Sequence, residues 1–288
     1  MRKTPPCASV FRRDPKLGFL EWRSSLIQGA PFGVHTHDTV SVAVVRGGSY
    51  ALSCRGETRQ AGPGSAVFFP AEEPHSCNPL PGEAMDYRKY YLAPAWFRAL
   101  RLELAGDGAS SPAGSIAADG AARPAVVSDP ATAEAFATLA SALDRSREGE
   151  TAGAEKLALL REALGRLLRA PAHFLGEEEP TAEREAVSVV VRTISRDPAE
   201  TIRLEELAEA SGLTASHLLR VFRRSRGLTP HAYQAQLRVN LAKRLLAGGA
   251  PIAQAALEAG FVDQSHLNRV FRRYMGATPR QYLLGARQ

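Results

Sequence analysis

The sequence is poor in cysteine, with only Cys7, Cys54 and Cys77 among 288 residues, an odd and scattered set without C-x-x-C spacing. That pattern excludes a disulfide framework and fits reduced thiols in a reducing compartment. Long apolar runs are also missing, since none approaches the ~20 residues needed to cross a bilayer. The opening MRKTPPCASVFRRDPK is basic but carries no apolar segment, so no secretory signal and a cytoplasmic site of action are expected. The third scarcity is acid near the far end. After Ala210 only Glu258 and Asp263 are acidic, against 12 basic residues.

Divided along the chain, the net charge of +6 becomes informative. Residues 1–180 hold 20 Lys+Arg and 21 Asp+Glu; residues 181–288 hold 16 and 9. All the excess positive charge therefore sits in the last third, as expected of a segment that meets a polyanion.

That third also repeats itself. His217 to Arg238 (HLLRVFRRSRGLTPHAYQAQLR) and His266 to Arg287 (HLNRVFRRYMGATPRQYLLGAR) match at 12 of 22 positions with an offset of 49. In the first copy Leu218, Val221 and Phe222 fall at i, i+3, i+4 and make one apolar stripe. The opposite face carries Ser216, Arg220 and Arg223, flanked by Leu219 and Arg224. In the second copy Leu267, Val270 and Phe271 form the stripe, opposite Ser265, Arg269 and Arg272. Each helix is preceded by a shorter one and a turn, at Gly212 and at Gly260. Helix, glycine turn, helix is the helix-turn-helix, whose second member enters the DNA major groove. Thr229-Pro230 and Thr278-Pro279 read as N-cap and N1 of a following helix. From Pro230 to Ala247 nothing breaks the pattern, giving ~27 Å of helix at ~1.5 Å per residue. That connector is close to the ~34 Å between successive major-groove faces.

These motifs, GLTxSHLxRVFRR…GLTPxxY and PIAxxAxExGFxDQSHLxRVFRRxxGxTPxxY, resemble the AraC/XylS family of bacterial transcription regulators over residues 184–284. Ala253-Gln254-Ala255-Ala256 departs from it, where a bulkier aliphatic is usual. The resemblance implies base contacts from Ser216, Leu219 and Arg220 in the first reading helix, and from Gln264, Ser265, His266 and Arg269 in the second. The residue-level reading agrees for Ser216, Arg220, Ser265 and Arg269. Arg223, Arg224, Lys243, Arg272 and Arg273 suit phosphates, which position without specifying.

Upstream, VSVAVVR (40–46), SYALSCR (49–55) and AVFFP (66–70) read as short strands separated by glycine and proline turns. Residues 105–125 read as a loop, and helices are expected over roughly 129–147 and 153–170. In the second of these Leu157, Leu160, Leu164 and Leu168 form a stripe that serves either internal packing or a homodimer. GEEEP (176–180) reads as an acidic linker. The expected architecture is α+β: a cupin-like β-barrel with flanking helices (1–125), a helical linker or dimerisation region (126–180), and an all-α DNA-binding domain (181–288).

Gly29-x5-His35-Thr-His37 and Gly64-x5-Pro70-x3-Pro74-His75 resemble the two cupin signatures. Three imidazoles suit a transition metal, but no Glu follows the His-x-His pair and the second signature is altered at Pro70-Ala71-Glu72. No metal and no cofactor are therefore expected. His35, His37, Tyr50, His75, Tyr87 and Tyr90 are expected instead to line a pocket for a small-molecule effector. Taken together, the chain reads as an effector-controlled, sequence-specific regulator, not an enzyme. Its expected partners are double-stranded DNA, the effector, RNA polymerase and a second copy of itself, with no membrane. The competing readings are a metal-dependent cupin enzyme fused to a DNA-binding domain, and a non-specific architectural DNA binder.

Overall fold

A computed structural model describes residues 7–28, 33–106, 112–116, 123–145, 153–176, 181–275 and 278–285. Gly29, much of the loop expected at 105–125, the acidic residues 177–179 and Gly276 lie outside the described residues.

The first half is built on two antiparallel sheets. The wide one comprises β1 (Cys7–Arg13), β2 (Leu20–Gln28), β3 (Val40–Gly47), β6 (Ala66–Phe69), β8 (Ala84–Leu92), β9 (Ala125–Val127) and β10 (His173–Phe174). Its order is β1-β2-β8-β3-β6-β9-β10. The narrow one comprises β4 (Tyr50–Cys54), β5 (Glu57–Ala61) and β7 (His75–Pro79), in the order β5-β4-β7. Strand periodicity gives the wide sheet two different faces. From one face Ile27, Val45, Val67, Phe69, Met85 and Tyr87 meet Tyr50 and Leu52 of the narrow sheet in a shared core. The other face sends Val42, Val44, Phe68 and Tyr90 against helices α1 (Pro94–Gly106), α2 (Pro130–Arg145) and α3 (Gly153–Arg169).

This layering decides the two open questions of the middle region. Leu160, Leu164 and Leu168 are at most 1% exposed and pack on Phe136, Leu139 and the sheet. Three of the four leucines of the stripe are thus internal packing, and Leu157 is half-buried against the same core. The segment 126–180 is expected to be separate, but its described parts, α2, α3 and the strands β9 and β10 of the wide sheet, share the first domain's core. The reason is the apolar outer face of that sheet, which needs both α2 and α3 to cover it.

The last third is helical: α4 (Thr181–Arg196), α5 (Leu204–Ser211), α6 (Ala215–Arg226), α7 (Pro230–Ala247), α8 (Ile252–Glu258), α9 (Gln264–Met275) and α10 (Pro279–Gly285). The expected caps are present. Thr229 Oγ1 accepts from Ala232 N at 3.2 Å to start α7, and Thr278 Oγ1 accepts from Gln281 N at 3.2 Å to start α10. Thr214, not singled out in the sequence, caps α6 in the same way, its Oγ1 accepting from His217 N at 3.4 Å. Gly227, at φ 66°, ends α6 in the left-handed region that glycine adopts without strain. The connector α7 runs 18 residues, as the sequence led one to expect. It serves two cores at once: Tyr233 and Leu237 pack with Leu218, Val221 and Phe222, while Val239, Ala242 and Leu246 pack with Leu267 and Phe271.

A third side of α7 faces the sensor half. Gln236, 2% exposed, donates from Nε2 to Val34 O at 2.7 Å and accepts from the amide of Thr36. Tyr233 Oη donates to Glu72 at 3.3 Å, Arg244 reaches Asp38 at 3.0 Å, and Arg13 pairs with the Tyr282 hydroxyl. Gln236→Leu would leave a buried carbonyl and amide unpaired, so it should cost about 1–3 kcal/mol. Faster hydrogen exchange at the Thr36 amide, with the sheet core still protected, is the expected readout.

Candidate nucleic-acid interface and sensor cavity

Helices α6 and α9 expose the faces that their apolar stripes do not bury. Leu218, Val221 and Phe222, and likewise Leu267 and Phe271, are at most 1% exposed. Opposite them Ser216, Arg220, Arg223, Gln264, Ser265, Arg269 and Arg272 are exposed to solvent, and Leu219 is half-buried. The two reading faces thus carry the serines and arginines that the repeat led one to expect. Asp263 Oδ1 caps α9 by accepting from His266 N at 2.7 Å, while the His266 ring packs edge-on to Phe261 at 5.3 Å. His266 is therefore held partly by its own domain. Arg224 is exposed but pairs with Glu183, and Arg273 lies 5.9 Å over the Tyr274 ring.

Lys243 departs from expectation. Instead of facing out toward phosphate, its Nζ lies 3.6 Å from Glu21 Oε1 and 5.5 and 5.8 Å from the Tyr91 and Tyr282 rings. It sits where α7 meets the sensor half, on the side of the helix that the two reading heads leave over.

A basic residue assigned no role from sequence turns out to bind backbone. Arg238 donates from Nε to Pro198 O at 2.7 Å and from its terminal nitrogens to Ala199 O, Glu200 O and Gly260 O at 3.2, 3.1 and 2.9 Å. It ties the loop before α5 to the turn between α8 and α9. Gly260, at φ 79°, fits beneath it; a Cβ there would stand 2.6 Å from Ala199 O. The repeat matches Arg238 with Arg287 but gives it no role, because its partners are main-chain carbonyls.

The second site is a cavity between the sheets, closed by the DNA-binding half. Its walls include Arg23, His35, His37, Tyr50, Tyr87, Lys89 and Tyr91 from the strands and their loops, with Tyr274 and Met275 from the end of α9. It has about 30 Å³ of room for the centres of water-sized groups. Of the expected lining residues, His35, His37, Tyr50 and Tyr87 are there, and His75 stands beside them. Tyr90 is not. It lies on the opposite face of β8, donating to Phe136 O at 3.4 Å, and its neighbours Lys89 and Tyr91 face the cavity instead.

The three histidines converge, with candidate ligand nitrogens within 4.8 Å of one another. His75 Nδ1 is 2.8 Å from Glu73 O and His35 Nδ1 is 3.0 Å from Gly33 O. Each Nδ1–H donates to that carbonyl, which leaves Nε2 as a lone-pair acceptor. Lys89 Nζ lies 2.9 Å from His37 Nε2 and 3.2 Å from His75 Nε2. Burial, then the Lys89 charge, holds His37 and His75 well below their ordinary pKa, so both are neutral. Burial also pulls Lys89 down to about 7.

Comparison with known proteins bears on both sites. Residues 207–284 match a family profile described as a helix-turn-helix domain, and residues 27–164 match one described as an AraC-like ligand binding domain. The chain is 29% identical over 257 residues, 88% of its length and 87% of the relative's, to the uncharacterized HTH-type transcriptional regulator YbfI of Bacillus subtilis (strain 168). Its fold is similar to that of ToxT from Vibrio cholerae O395, with TM-score 0.56, 12% identity, and coverage of 97% of this chain and 98% of that one. An unsaturated fatty acid bound form of ToxT from strain SCE256 gives TM-score 0.52 at 13% identity, covering 99% and 98%.

Proposed function

This chain belongs to the AraC family of DNA-binding transcription regulators with an N-terminal ligand-binding domain, and from that premise we propose which residues read DNA and how a ligand reaches them. Helices α6 and α9 enter successive major-groove faces of one duplex. Arg220 and Arg269 contact guanine edges, Gln264 suits adenine, and Leu219 suits a thymine methyl. Ser216, Ser265 and His266 complete the base-facing set. Arg223, Arg224, Arg272 and Arg273 hold phosphates, with Arg224 leaving Glu183 to do so. The exposed arginine faces opposite buried stripes support this assignment. Lys243 joins the phosphate set only if α7 separates from Glu21.

Control comes from the cavity. The observation that carries this is that Tyr274 and Met275, the last residues of α9, form part of its wall. With about 30 Å³ of room, the cavity admits an effector larger than a few atoms only if part of its wall moves, and a ligand that displaces Tyr274 and Met275 competes with the closed arrangement. Such a ligand shifts the population toward whichever state binds it better. ToxT is known with an unsaturated fatty acid bound; in this chain the cavity between the sheets is the place assigned to the effector. The bound regulator acts on RNA polymerase in the cytoplasm. One chain already carries both reading heads, and sedimentation on operator DNA distinguishes a bound monomer from a homodimer.

Competition gel shifts test the DNA reading, using the promoter region of its own gene. Random duplex should compete far more weakly, and equal competition would mean a non-specific architectural binder. Arg220→Ala or Arg269→Ala should cost about 1–3 kcal/mol on the specific site and relax preference at one base pair. Arg272→Ala should weaken all sequences alike and lower the salt slope by about 1. If the first two variants behave like the third, the assignment of faces is wrong.

A further inference from the structure

The three imidazoles form a cradle for a cation. His35 and His75 are locked side by side by reciprocal backbone hydrogen bonds of 2.9 Å, and their Nδ1–H groups are spent on carbonyls. Lone pairs of this kind converging from three rings are what a divalent transition metal binds. Yet Lys89 reaches in from β8 and places its nitrogen on two of them. An ammonium has three donors and no acceptor, so His37 and His75 accept from it. The rings of Phe69 and Tyr91, each 5.6 Å from Nζ, add their negative faces. Lys89 is 4% exposed, and no Asp or Glu lines the cavity among the described residues.

We propose that Lys89 is the resident cation of this cradle, standing where a metal would otherwise sit, and that it presents the cavity with an anchor for a carboxylate. Two further groups fit such a ligand. Arg23 lines the same cavity. Tyr50 Oη, on a side chain 1% exposed, is buried without a hydrogen-bond partner. A carboxylate would give the buried ammonium the opposite charge that the walls lack and would accept from the Tyr50 hydroxyl. A neutral sugar or alcohol would leave the ammonium uncompensated. The ligand class deepens the effector reading above, whereas the cradle assignment stands without it.

Two titrations of the full-length chain separate these parts. In the first, Co²⁺ is added at pH 7 and its visible absorption followed. The wild type should take up none at this site. Lys89→Ala and Lys89→Met should each take up one equivalent, lost again when His35→Ala is added. Stoichiometric, His35-dependent uptake by the wild type would overturn the cradle assignment even if neither variant folds, and so would failure of folded variants to gain the metal. In the second, acetate, benzoate and benzyl alcohol are compared by thermal shift. At least one acid should stabilise the wild type and lose that effect in Lys89→Met, while benzyl alcohol does nothing. Failure of both acids, or equal stabilisation by the alcohol, would overturn the carboxylate. Regulation by a neutral effector in this cavity would still leave the proposed control intact.

Discussion

An Arg238→Ala chain should keep its sensor half folded and lose its DNA-binding half. Four carbonyls on two separate loops take their donor from this one guanidinium. Hydrogen bonds to a charged donor each contribute about 1.5–3 kcal/mol, and water recovers part of the loss where carbonyls become exposed. A net cost of about 3–5 kcal/mol is expected, a large fraction of the 5–15 kcal/mol typical of a domain. Lysine should restore little, because a single ammonium cannot reach the four carbonyls that the planar fork spans. Gly260→Ala should fail for the matching reason: its Cβ would press on Ala199 from the other side of the same contact. Circular dichroism melts and gel shifts report the two halves separately. If Arg238→Ala melts within about 2 °C of the wild type and still binds DNA, Arg238 is no more than a surface cation.

Acid should unfold this protein early. His37 and His75 are held neutral in the folded state, with pKa values well below the ordinary 6.5, by burial first and then by Lys89. The unfolded chain takes up protons at these positions below about pH 6.5 and the native chain does not. Their contribution is therefore present above pH 6.5 and lost as pH falls. Each histidine contributes a slope approaching about 1.4 kcal/mol per pH unit, so the pair approaches about 3. Lys89 acts in the same direction in a higher window. Its folded pKa of about 7 lies below its ordinary 10.5, so the native state holds fewer protons between those values and stability rises with pH there. Guanidinium midpoints measured at pH 5, 6.5 and 8 should climb steadily, and His75→Gln should flatten the acid limb. A wild-type midpoint unchanged between pH 5 and 6.5 would contradict the buried neutral imidazoles.

The two halves of the chain were unequally legible in sequence. The reading helices could be placed to the residue because a helix writes its buried face at i, i+3, i+4, and here it does so twice. The caps at Thr229 and Thr278 and the length of α7 follow from local chemistry alone. The sensor was harder. Strand β8, AMDYRKYYL, carries tyrosines and cations in both phases of its alternation, so sequence could not say whether Tyr90 or Tyr91 looks inward. The order of the strands decides it, through ladders between residues far apart in the chain. Lys89, Lys243 and Arg238 illustrate the same limit. Each counts simply as positive charge until imidazoles, Glu21 and backbone carbonyls are brought to it by the fold. The leucine stripe of α3 was ambiguous for a different reason: an apolar face is written alike whether it meets a sheet or a second chain.

The wall that α9 lends to the cavity has one more consequence. Coupling free energy between two sites is reciprocal. If an effector changes affinity for DNA by some factor, the operator changes affinity for that effector by the same factor. Promoter DNA would then act as a modulator of the sensor, setting its threshold as well as receiving its output. Two promoters whose sequences engage α9 differently would switch at different metabolite concentrations, with no change in the protein.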